Sequence, residues 1–324
     1  MKVAILSFAH ENAETYARLL RDLPGIELVT ADPDGTPEDQ ARDRATAERL
    51  GVSYVDSWDE LLAPPPAAVV VTGEVERRVE LVERAAEAGA PVLCEYPLAV
   101  KETDLKSMVD ACDLGGVRLT LASPACYSDA FATVRKGIAD GVVGELTTVH
   151  GSYNTRPGKD GGALGANAPY LLDLVDSVLH GEPAEQVYAQ TNTVLSGRSG
   201  VESAAVVTVR YRSGQVASFD CSWSLSGAAG PPTVTFIGDK ASVEFNATPQ
   251  LLRGFDAATG GERWEPGGGE LYSSMLKDFL GTVETGAGIG PDGAAGLRTM
   301  RIVQAAHESA NTGRPVDLVV PSGH

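Results

Sequence analysis

The residue with the clearest capacity for chemistry is Tyr96, within the stretch VLCEYPLAV at residues 92–100. Residues 92–94 have the apolar character of a buried strand, Glu95 and Tyr96 follow directly, and Pro97 prevents the strand from continuing. A phenol has an ordinary pKa of about 10, so at neutral pH it donates a hydrogen bond or a proton. Tyr96 is therefore a candidate donor to an oxygen that develops negative charge. The alternative is a packed aromatic side chain at a domain junction.

The histidines and cysteines do not suggest a metal centre. The histidines have no metal-ligand spacing, so we expect no metal; they are His10, His150, His180, His307 and His324. The cysteines form no CxxC pair and, without a recognisable signal peptide, predict reduced thiols in a cytoplasmic protein; they are Cys94, Cys112, Cys126 and Cys221.

The charge balance excludes some partners. The chain has 324 residues, with 44 Asp and Glu against 26 Lys and Arg, a net charge of −18 and a pI of about 4.6. Such a surface repels nucleic acid and anionic membranes, and it also keeps a protein soluble. No apolar run approaches the roughly 20 residues that cross a bilayer. We expect neither nucleic acid nor a membrane as partner.

Tyr96 must be positioned by the elements of the first 122 residues, where apolar strands alternate with amphipathic helices. This alternation predicts a parallel sheet with helices on both faces, an α/β domain of the Rossmann type. The predicted strands are 3–6, 26–31, 67–71, 92–94 and 117–121, and the predicted helices are 11–22, 42–50, 75–88 and 105–112.

From residue 123 onward the pattern changes to longer strands in which apolar residues alternate with polar ones. Together with hairpin turns at residues 212–214 and 238–240, this pattern predicts an α+β domain with a large, mostly antiparallel sheet. Residues 254–269, rich in Gly, Ala and charge, are predicted to be a loop. The predicted strands are 146–154, 185–193, 203–211, 215–223, 234–237 and 241–245, and the helices are 128–140, 271–284 and 296–312.

Four stretches, in order along nearly the whole chain, resemble the Gfo/Idh/MocA oxidoreductases. AAEAGAPVLCEYPLAV resembles that family's helix, strand and E-K-P loop, and GVVGELTTVHGSY its first substrate-domain strand. GGALGANAPYLLDLV resembles its active-site helix, and GVESAAVVTVRYRSGQVASFDCSWS its central hairpin. The resemblance implies NAD or NADP in the first domain and a small-molecule substrate, often a sugar or polyol, between the domains. It also implies a homodimer or homotetramer assembled through the C-terminal sheet.

The first turn departs from the family's G-x-G-x-x-G motif, in which glycines let the backbone approach the pyrophosphate. The equivalent positions are Ser7, Ala9 and Asn12, so two residues stay small and the third is larger. Glu11 would repel a diphosphate, or it merely supports the helix through its dipole. Asp32, which ends the second strand, accepts hydrogen bonds from an adenosine ribose and so favours NAD over NADP, unless it is a turn residue.

The catalytic positions depart further. By resemblance, the E-K-P lysine corresponds to Tyr96, and the active-site helix has Ala166 for its first Asp, Tyr170 for its His and Asp173 for its last Asp. Tyr170 and Asp173 are three residues apart and therefore share a helical face. Asp173 is either catalytic or a buried hydrogen-bond partner. The E-Y-P sequence resembles the biliverdin reductase branch, which reduces its substrate with a nicotinamide and lacks that histidine.

Further candidates follow from the same resemblance. Arg156 and Lys159 lie in a loop that either covers the substrate or is simply solvated. His10 either faces the nucleotide or has a structural role. The remaining cofactor candidates are Phe8, Thr72 and Glu95, and the remaining substrate candidates are Asn154 and Asn167.

The sequence therefore predicts an NAD(P)-dependent oxidoreductase in which tyrosines replace the usual lysine and histidine as proton donors. Hydrogen-bond donors suit reduction better than oxidation, because oxidation needs a base. The second hypothesis is a catalytically silent or non-redox member that binds a metabolite or a partner in the interdomain cleft. The third is a lyase or isomerase that retains the nucleotide.

Overall fold

A computed structural model of the chain describes residues 1–157, 161–196, 200–223, 231–248, 250–256, 261–266, 271–286 and 288–318. The chain forms two compact units, which are described separately. The first comprises residues 1–124 and 272–297, and the second comprises residues 125–271 and 298–324. The predicted division at residue 122 did not include the return of the chain to the first unit at residue 272.

The first unit contains a six-stranded sheet in which all neighbouring strands are parallel, in the order β3-β2-β1-β4-β5-β6. Its strands are β1 (Lys2–Leu6), β2 (Glu27–Ala31), β3 (Ser53–Tyr54), β4 (Ala68–Val71), β5 (Val92–Cys94) and β6 (Leu119–Leu121). Its helices are α1 (Ala13–Arg21), α2 (Pro37–Leu50), α3 (Trp58–Leu62), α4 (Arg78–Glu87) and α5 (Glu102–Leu114), with a 3₁₀ turn at Val75–Arg77.

The central strands β1, β4 and β5 are almost entirely buried, which explains why their sequences are nearly continuous apolar runs. Strand order reverses between β1 and β4, so the loops that follow these two strands diverge at the carboxyl edge of the sheet. In doubly wound sheets, ligands bind at such a point. The predicted Rossmann-type α/β domain is confirmed.

The second unit contains a seven-stranded sheet with the order β12-β11-β7-β10-β9-β8-β15, antiparallel except that β10 runs parallel to β7. Its strands are β7 (Leu146–Thr155), β8 (Ala184–Asn192), β9 (Ala204–Tyr211), β10 (Val216–Trp223), β11 (Thr233–Gly238), β12 (Ser242–Asn246) and β15 (Val316–Asp317). The remaining helices of the chain are α6 (Asp129–Ala139), α7 (Ala163–Leu179), α8 (Leu271–Thr285) and α9 (Gly293–Thr312). The predicted α+β domain with a mostly antiparallel sheet is confirmed.

Helix α7 packs on one face of this sheet, where β7 carries a glycine. A Cβ atom at Gly151 would lie 2.9 Å from the ring of Phe219 and 3.3 Å from Leu171 of α7. The alternating residues of β9 show the consequence, since Val207 is buried whereas Val206 is 56% exposed on the opposite face.

The predicted loop at residues 254–269 is wrong in part. The backbone forms a separate two-stranded antiparallel sheet from β13 (Gln250–Asp256) and β14 (Gly261–Pro266). Glycine and charged residues have low strand propensity, but this propensity depends strongly on context, so such a composition does not exclude a strand. In the described part of the chain, no helix is long and apolar enough to cross a membrane.

Candidate functional site

The turn after β1 keeps a glycine-like shape although the glycines are gone. Ser7 is fully buried and has a φ of +68°, in the left-handed region that favours glycine. Thr72, at the end of β4, stabilises this turn on both sides. Its hydroxyl donates to the Ser7 carbonyl at 2.7 Å, and its own carbonyl accepts the His10 N–H at 3.0 Å. Thr72 therefore holds the backbone of this turn in place on both sides.

Several N–H groups of this turn already have partners within the protein. The Phe8 N–H donates to the Asp43 carboxylate at 3.0 Å, and the Asn12 N–H donates to Nδ1 of His10 at 3.2 Å. Within the described residues, the N–H groups of Ala9 and Glu11 make no hydrogen bond. Phosphates at such turns are held by backbone N–H groups and the helix N-terminus. The turn could thus hold a diphosphate with the N–H groups of Ala9 and Glu11 and with the start of α1. The exposed carboxylate of Glu11 would oppose this binding by repelling the phosphates.

Asp43 and Arg42 of α2 are site residues that the sequence prediction missed. The Arg42 guanidinium donates to Asp43 at 2.7 Å and to the Ser7 hydroxyl at 3.2 Å. Burial raises the pKa of Asp43, although Arg42 and the Phe8 N–H lower it. An Arg-Asp pair inside a helix has no distinctive sequence signal, because only the fold brings α2 beside the first turn.

Asp32 lies where the prediction placed it, at the end of β2, but it is not available to solvent. The side chain is fully buried, and both carboxylate oxygens accept hydrogen bonds from Arg77, at 2.7 and 3.0 Å. A Cβ atom at Gly35 would lie only 2.8 Å from the same carboxylate. The sequence prediction also missed Arg77. The feature that could have revealed it is the arginine pair Arg77-Arg78, which lies shortly after β4 at the carboxyl edge of the sheet.

Glu95, the first residue of the E-Y-P loop, is a buried hub of hydrogen bonds. Its carboxylate accepts hydrogen bonds from the Tyr16 hydroxyl, from Nδ2 of Asn12 at 3.3 Å and from the Tyr96 N–H at 3.0 Å. Nδ1 of His10 lies 3.7 Å away. Burial lowers the pKa of His10, and this effect exceeds the opposing one of Glu95. The predicted residues His10, Asn12 and Glu95 therefore form one cluster.

Arg78 fixes the backbone on either side of Tyr96. This guanidinium, almost fully buried, donates to the carbonyl oxygens of Gly73, Glu95 and Pro97. A buried cation that joins three carbonyls makes the E-Y-P loop rigid. The Tyr96 side chain is itself only 6% exposed. The loop is thus a preorganised one, and the role of the phenol stays a prediction.

The two candidates on α7 have different neighbours. Asp173 is fully buried and accepts a hydrogen bond from the Thr299 hydroxyl of α9 at 3.2 Å. Tyr170 is half-buried, and its ring meets that of Tyr153 edge-on at 5.8 Å between centroids. The environment of Asp173 favours the structural alternative, whereas Tyr170 keeps partial access to solvent.

The predicted substrate residues of the second unit differ in how they are engaged. Asn167 is fully buried and bridges β7 and β10, with its amide donating to the carbonyls of Tyr153 and Ser222 and its oxygen accepting from Thr155. Asn154 donates to the Ser222 hydroxyl at 3.2 Å, while its buried oxygen has no partner in the described residues. Arg156 is exposed, and Lys159 lies outside the described residues.

A further residue, Glu202, positions α7 from outside the helix. Its carboxylate accepts the Leu164 N–H at 3.1 Å, and its carbonyl accepts the Ala163 N–H at 3.0 Å. These contacts satisfy the first turn of a helix whose N-cap residue, Gly162, has no side chain to do so. No sequence pattern signals such a distant cap.

Within the described residues, no group of three metal-binding side chains is close enough to hold an ion, and all four cysteines are buried free thiols.

Comparison with known proteins places these features in a wider group. Residues 35–123 match the model of an oxidoreductase family with an NAD-binding Rossmann fold, and residues 131–244 match the GFO/IDH/MocA C-terminal domain. The first match begins after β2, so the atypical turn at residues 7–12 and Asp32 lie outside it.

Individual relatives agree with these matches. D-apiose dehydrogenase from Paraburkholderia graminis is 25% identical, with 92% of this chain and 84% of that protein covered. D-xylose 1-dehydrogenase (NADP(+)) 2 from Haloferax volcanii is 28% identical, with 86% and 90% covered. The crystal structure of GenD2 from gentamicin A biosynthesis, in complex with NAD, has a TM-score of 0.85 at 22% identity, covering 99% and 97% of the two chains. This last likeness shows the shared fold.

Proposed function

We propose that this chain, which belongs to the Gfo/Idh/MocA family of oxidoreductases, is an NAD(P)-dependent reductase. We propose as its substrate a small polyhydroxylated carbonyl compound. The single observation that carries this proposal is the rigid E-Y-P loop, in which Glu95 and Arg78 fix the backbone around Tyr96. The relatives named for D-apiose and D-xylose support a sugar-like substrate.

The bound nicotinamide would supply the hydride in this reaction. Tyr96 would donate a proton to the carbonyl oxygen of the substrate, which becomes the alcohol. A phenol suits that step because its ordinary pKa leaves it protonated at neutral pH, and because Arg78 and Glu95 hold the backbone of its loop. The phenol would then regain its proton from solvent. We retain Tyr170 as a second proposed donor, since its side chain is half-buried rather than enclosed.

For the cofactor, the shape of the turn supports a dinucleotide and Asp32 supports NAD over NADP. The residues that would hold it are the Ala9 and Glu11 N–H groups at the diphosphate and Asp32 at the adenosine ribose. Ser7, Phe8 and Thr72 would shape the turn rather than contact the ligand by hydrogen bonds.

A catalytically silent binding protein is the second candidate. The observation in its favour is that the N–H groups of Phe8, His10 and Asn12 are already bonded within the protein. Glu11 adds a negative charge where a diphosphate would lie. These features would weaken a dinucleotide complex by removing donors and adding repulsion.

Calorimetric titration with NADH and NADPH, followed by a screen of aldoses and ketoses, tests both candidates. We expect binding of at least one cofactor, and turnover that falls about 100-fold or more in Tyr96→Phe while cofactor affinity is retained. Tyr188→Phe is the matched control, because within the described residues the Tyr188 hydroxyl accepts one hydrogen bond, from Gln190 on the same strand, β8. Absence of cofactor binding at millimolar concentrations would favour the silent alternative.

We also propose that copies of the chain associate through the exposed face of the seven-stranded sheet and that the protein acts in the cytoplasm. The resemblance to the family supports an interface on this face, and Val206 of β9 is an exposed apolar side chain that lies on it.

A further inference from the structure

We propose that Arg77 is a latch that occupies the ribose-recognition carboxylate, Asp32, until a dinucleotide displaces it. The proposal rests on the proposed function, because it concerns how that cofactor enters. It assigns Arg77 as a positioning residue that sets cofactor affinity without taking part in the reaction.

Arg77 and Asp32 form an ion pair with two hydrogen bonds. Nη2 of Arg77 donates to Oδ1 at 2.7 Å and Nη1 donates to Oδ2 at 3.0 Å, a paired contact between two charged groups. Arg77 follows β4 in a 3₁₀ turn, whereas Asp32 follows β2, so the contact reaches across the end of β1. The hydrogen bond to Asp32 is the main reason that the pKa of Arg77 is raised.

This contact conflicts with ribose binding at the same carboxylate. Ribose hydroxyls bind an acid at this position by donating hydrogen bonds to it. Asp32 is fully buried, with Gly35 against one side and the guanidinium on the other. Since no part of Asp32 reaches solvent, a ribose gains access only when the Arg77 side chain moves.

A second acceptor for Arg77 is already in place. Oε2 of Glu74 lies 3.5 Å from Nη1 of Arg77, and this oxygen is buried without a hydrogen bond in the described residues. The other oxygen, Oε1, lies 3.5 Å from Nη1 of Arg42. A short rotation of Arg77 would exchange Asp32 for Glu74, so the guanidinium would remain paired in both arrangements.

The charges around Arg77 argue against a different role, in which Arg77 would bind the 2′-phosphate of NADP. Asp32, Asp39, Asp43 and Glu74 contribute four negative charges against two from Arg42 and Arg77. Arg77 thus pairs with two carboxylates, Asp32 and Glu74, and the cluster of six charged side chains has a net negative charge. A 2′-phosphate would meet this negative charge, so we assign Arg77 to control access to Asp32 rather than to bind that phosphate.

The ion pair between Arg77 and Asp32 lowers the affinity of the wild-type protein for a dinucleotide. Binding must pull Arg77 from its partner, so the apparent Kd of the wild-type protein exceeds that of a protein in which Asp32 is accessible. Arg77→Gln removes the paired contact and leaves room for water or ribose beside Asp32. We expect this substitution to lower the Kd for NADH about tenfold, with a smaller effect for Arg77→Lys, which retains the charge but not the fork. Glu74→Gln should raise the Kd, since the displaced arginine loses its charged acceptor.

The test is calorimetric titration of wild-type, Arg77→Gln, Arg77→Lys and Glu74→Gln proteins with NADH and with NADPH. Arg44→Gln is the control, because its guanidinium pairs with Asp56 on the exposed surface of the same unit. Thermal unfolding of each variant establishes that it is folded. If Arg77→Gln does not fold, the proposal is tested with Arg77→Lys instead.

The outcomes separate the latch from the proposed function. Tighter NADH binding by Arg77→Gln, with no change in the control, supports the latch even when the wild-type protein binds too weakly to measure. Unchanged NADH affinity overturns the latch and leaves the proposed function standing. Selective loss of NADPH affinity also overturns it, since Arg77 would then be a phosphate ligand. Absence of binding by every folded variant overturns both.

Discussion

The carboxylate of Glu202 accepts the Leu164 N–H at 3.1 Å, from a position where a Cβ atom on Gly162 would lie 2.0 Å away. Glu202 therefore does for α7 what an N-cap side chain normally does, and a side chain at residue 162 would have to displace its carboxylate from the cap. The relationship makes the start of the helix dependent on a residue that lies just before β9.

The first prediction is a non-additive pair of substitutions at this cap. Gly162→Ala should lower the free energy of unfolding by about 1 kcal/mol, because its side chain displaces the Glu202 carboxylate from the cap, and Glu202→Ala by about 1 kcal/mol through loss of the same cap. In the double variant the alanine side chain has room, so the cost of Gly162→Ala should nearly vanish. Urea denaturation of the four proteins measures the coupling, and strictly additive costs would show that Glu202 does not occupy this space.

The second prediction concerns the left-handed backbone at Ser7. Ser7→Gly and Ser7→Ala both lose the hydrogen bond from Arg42, but only glycine relieves the strain at a φ of +68°. The glycine variant should therefore be more stable than the alanine variant by about 1 kcal/mol. Denaturation midpoints of the two variants, compared with wild type, decide the order, and a more stable alanine variant would contradict the strained backbone.

The third prediction is a pH dependence that arises from His10. Burial lowers its pKa in the folded protein below the ordinary value of 6.5, so the unfolded chain takes up the proton first. The contribution of His10 to stability is fully present above pH 6.5 and is lost as the pH falls through the lowered folded value. Protonation also removes the Nδ1 acceptor for the Asn12 N–H.

His10→Asn isolates this effect, because asparagine accepts a hydrogen bond from a residue two positions on but does not titrate. Melting temperatures of both proteins, measured from about pH 7 to about pH 5, should diverge as the wild-type protein loses stability faster. Comparison of the two proteins removes the contribution of Asp43, whose raised pKa acts in the opposite direction. Parallel curves would show that His10 does not titrate differently on folding.

The fourth prediction separates structural and catalytic roles for Asp173. Asp173→Ala leaves the buried Thr299 hydroxyl without this acceptor and should cost about 1–3 kcal/mol of unfolding free energy. Asp173→Asn retains an acceptor oxygen and should cost less, with turnover close to that of wild type. Denaturation and steady-state rates measure the two effects. A well-folded Asp173→Asn protein with turnover lowered about 100-fold or more would instead make the carboxylate catalytic.

The fifth prediction tests association through the seven-stranded sheet. Val206→Asp places a charge on an exposed apolar side chain of β9 and should shift the protein toward monomer, because a buried unpaired charge opposes an interface. Sedimentation velocity measures the species present. Val194→Asp is the control, since Val194 is also exposed but lies beyond the end of β8; dissociation by both variants, or by neither, would place the interface elsewhere.

Much of the fold was predictable because local patterns specify it. The buried strand at Val92–Cys94 has the same bounds in prediction and structure, since the apolar run is too short for a helix and Pro97 ends it. The predicted helix 75–88 instead divides into a 3₁₀ turn at Val75–Arg77 and α4, and Arg77, which pairs with Asp32, is the last residue of the turn. The hairpin of β13 and β14 was missed, since its glycines and charges carry no strand signal.

For the candidate site, the sequence by itself determined which residues stand at strand ends, because periodicity and turn residues are properties of neighbouring positions. It placed Tyr96, Asp32 and Glu95 correctly on that basis. Only the tertiary structure decided their partners: Arg77 on Asp32, Tyr16 on Glu95 and Thr299 on Asp173. Those contacts join residues 45, 79 and 126 positions apart, and pairing at such separations is set by how strands and helices pack rather than by any local pattern.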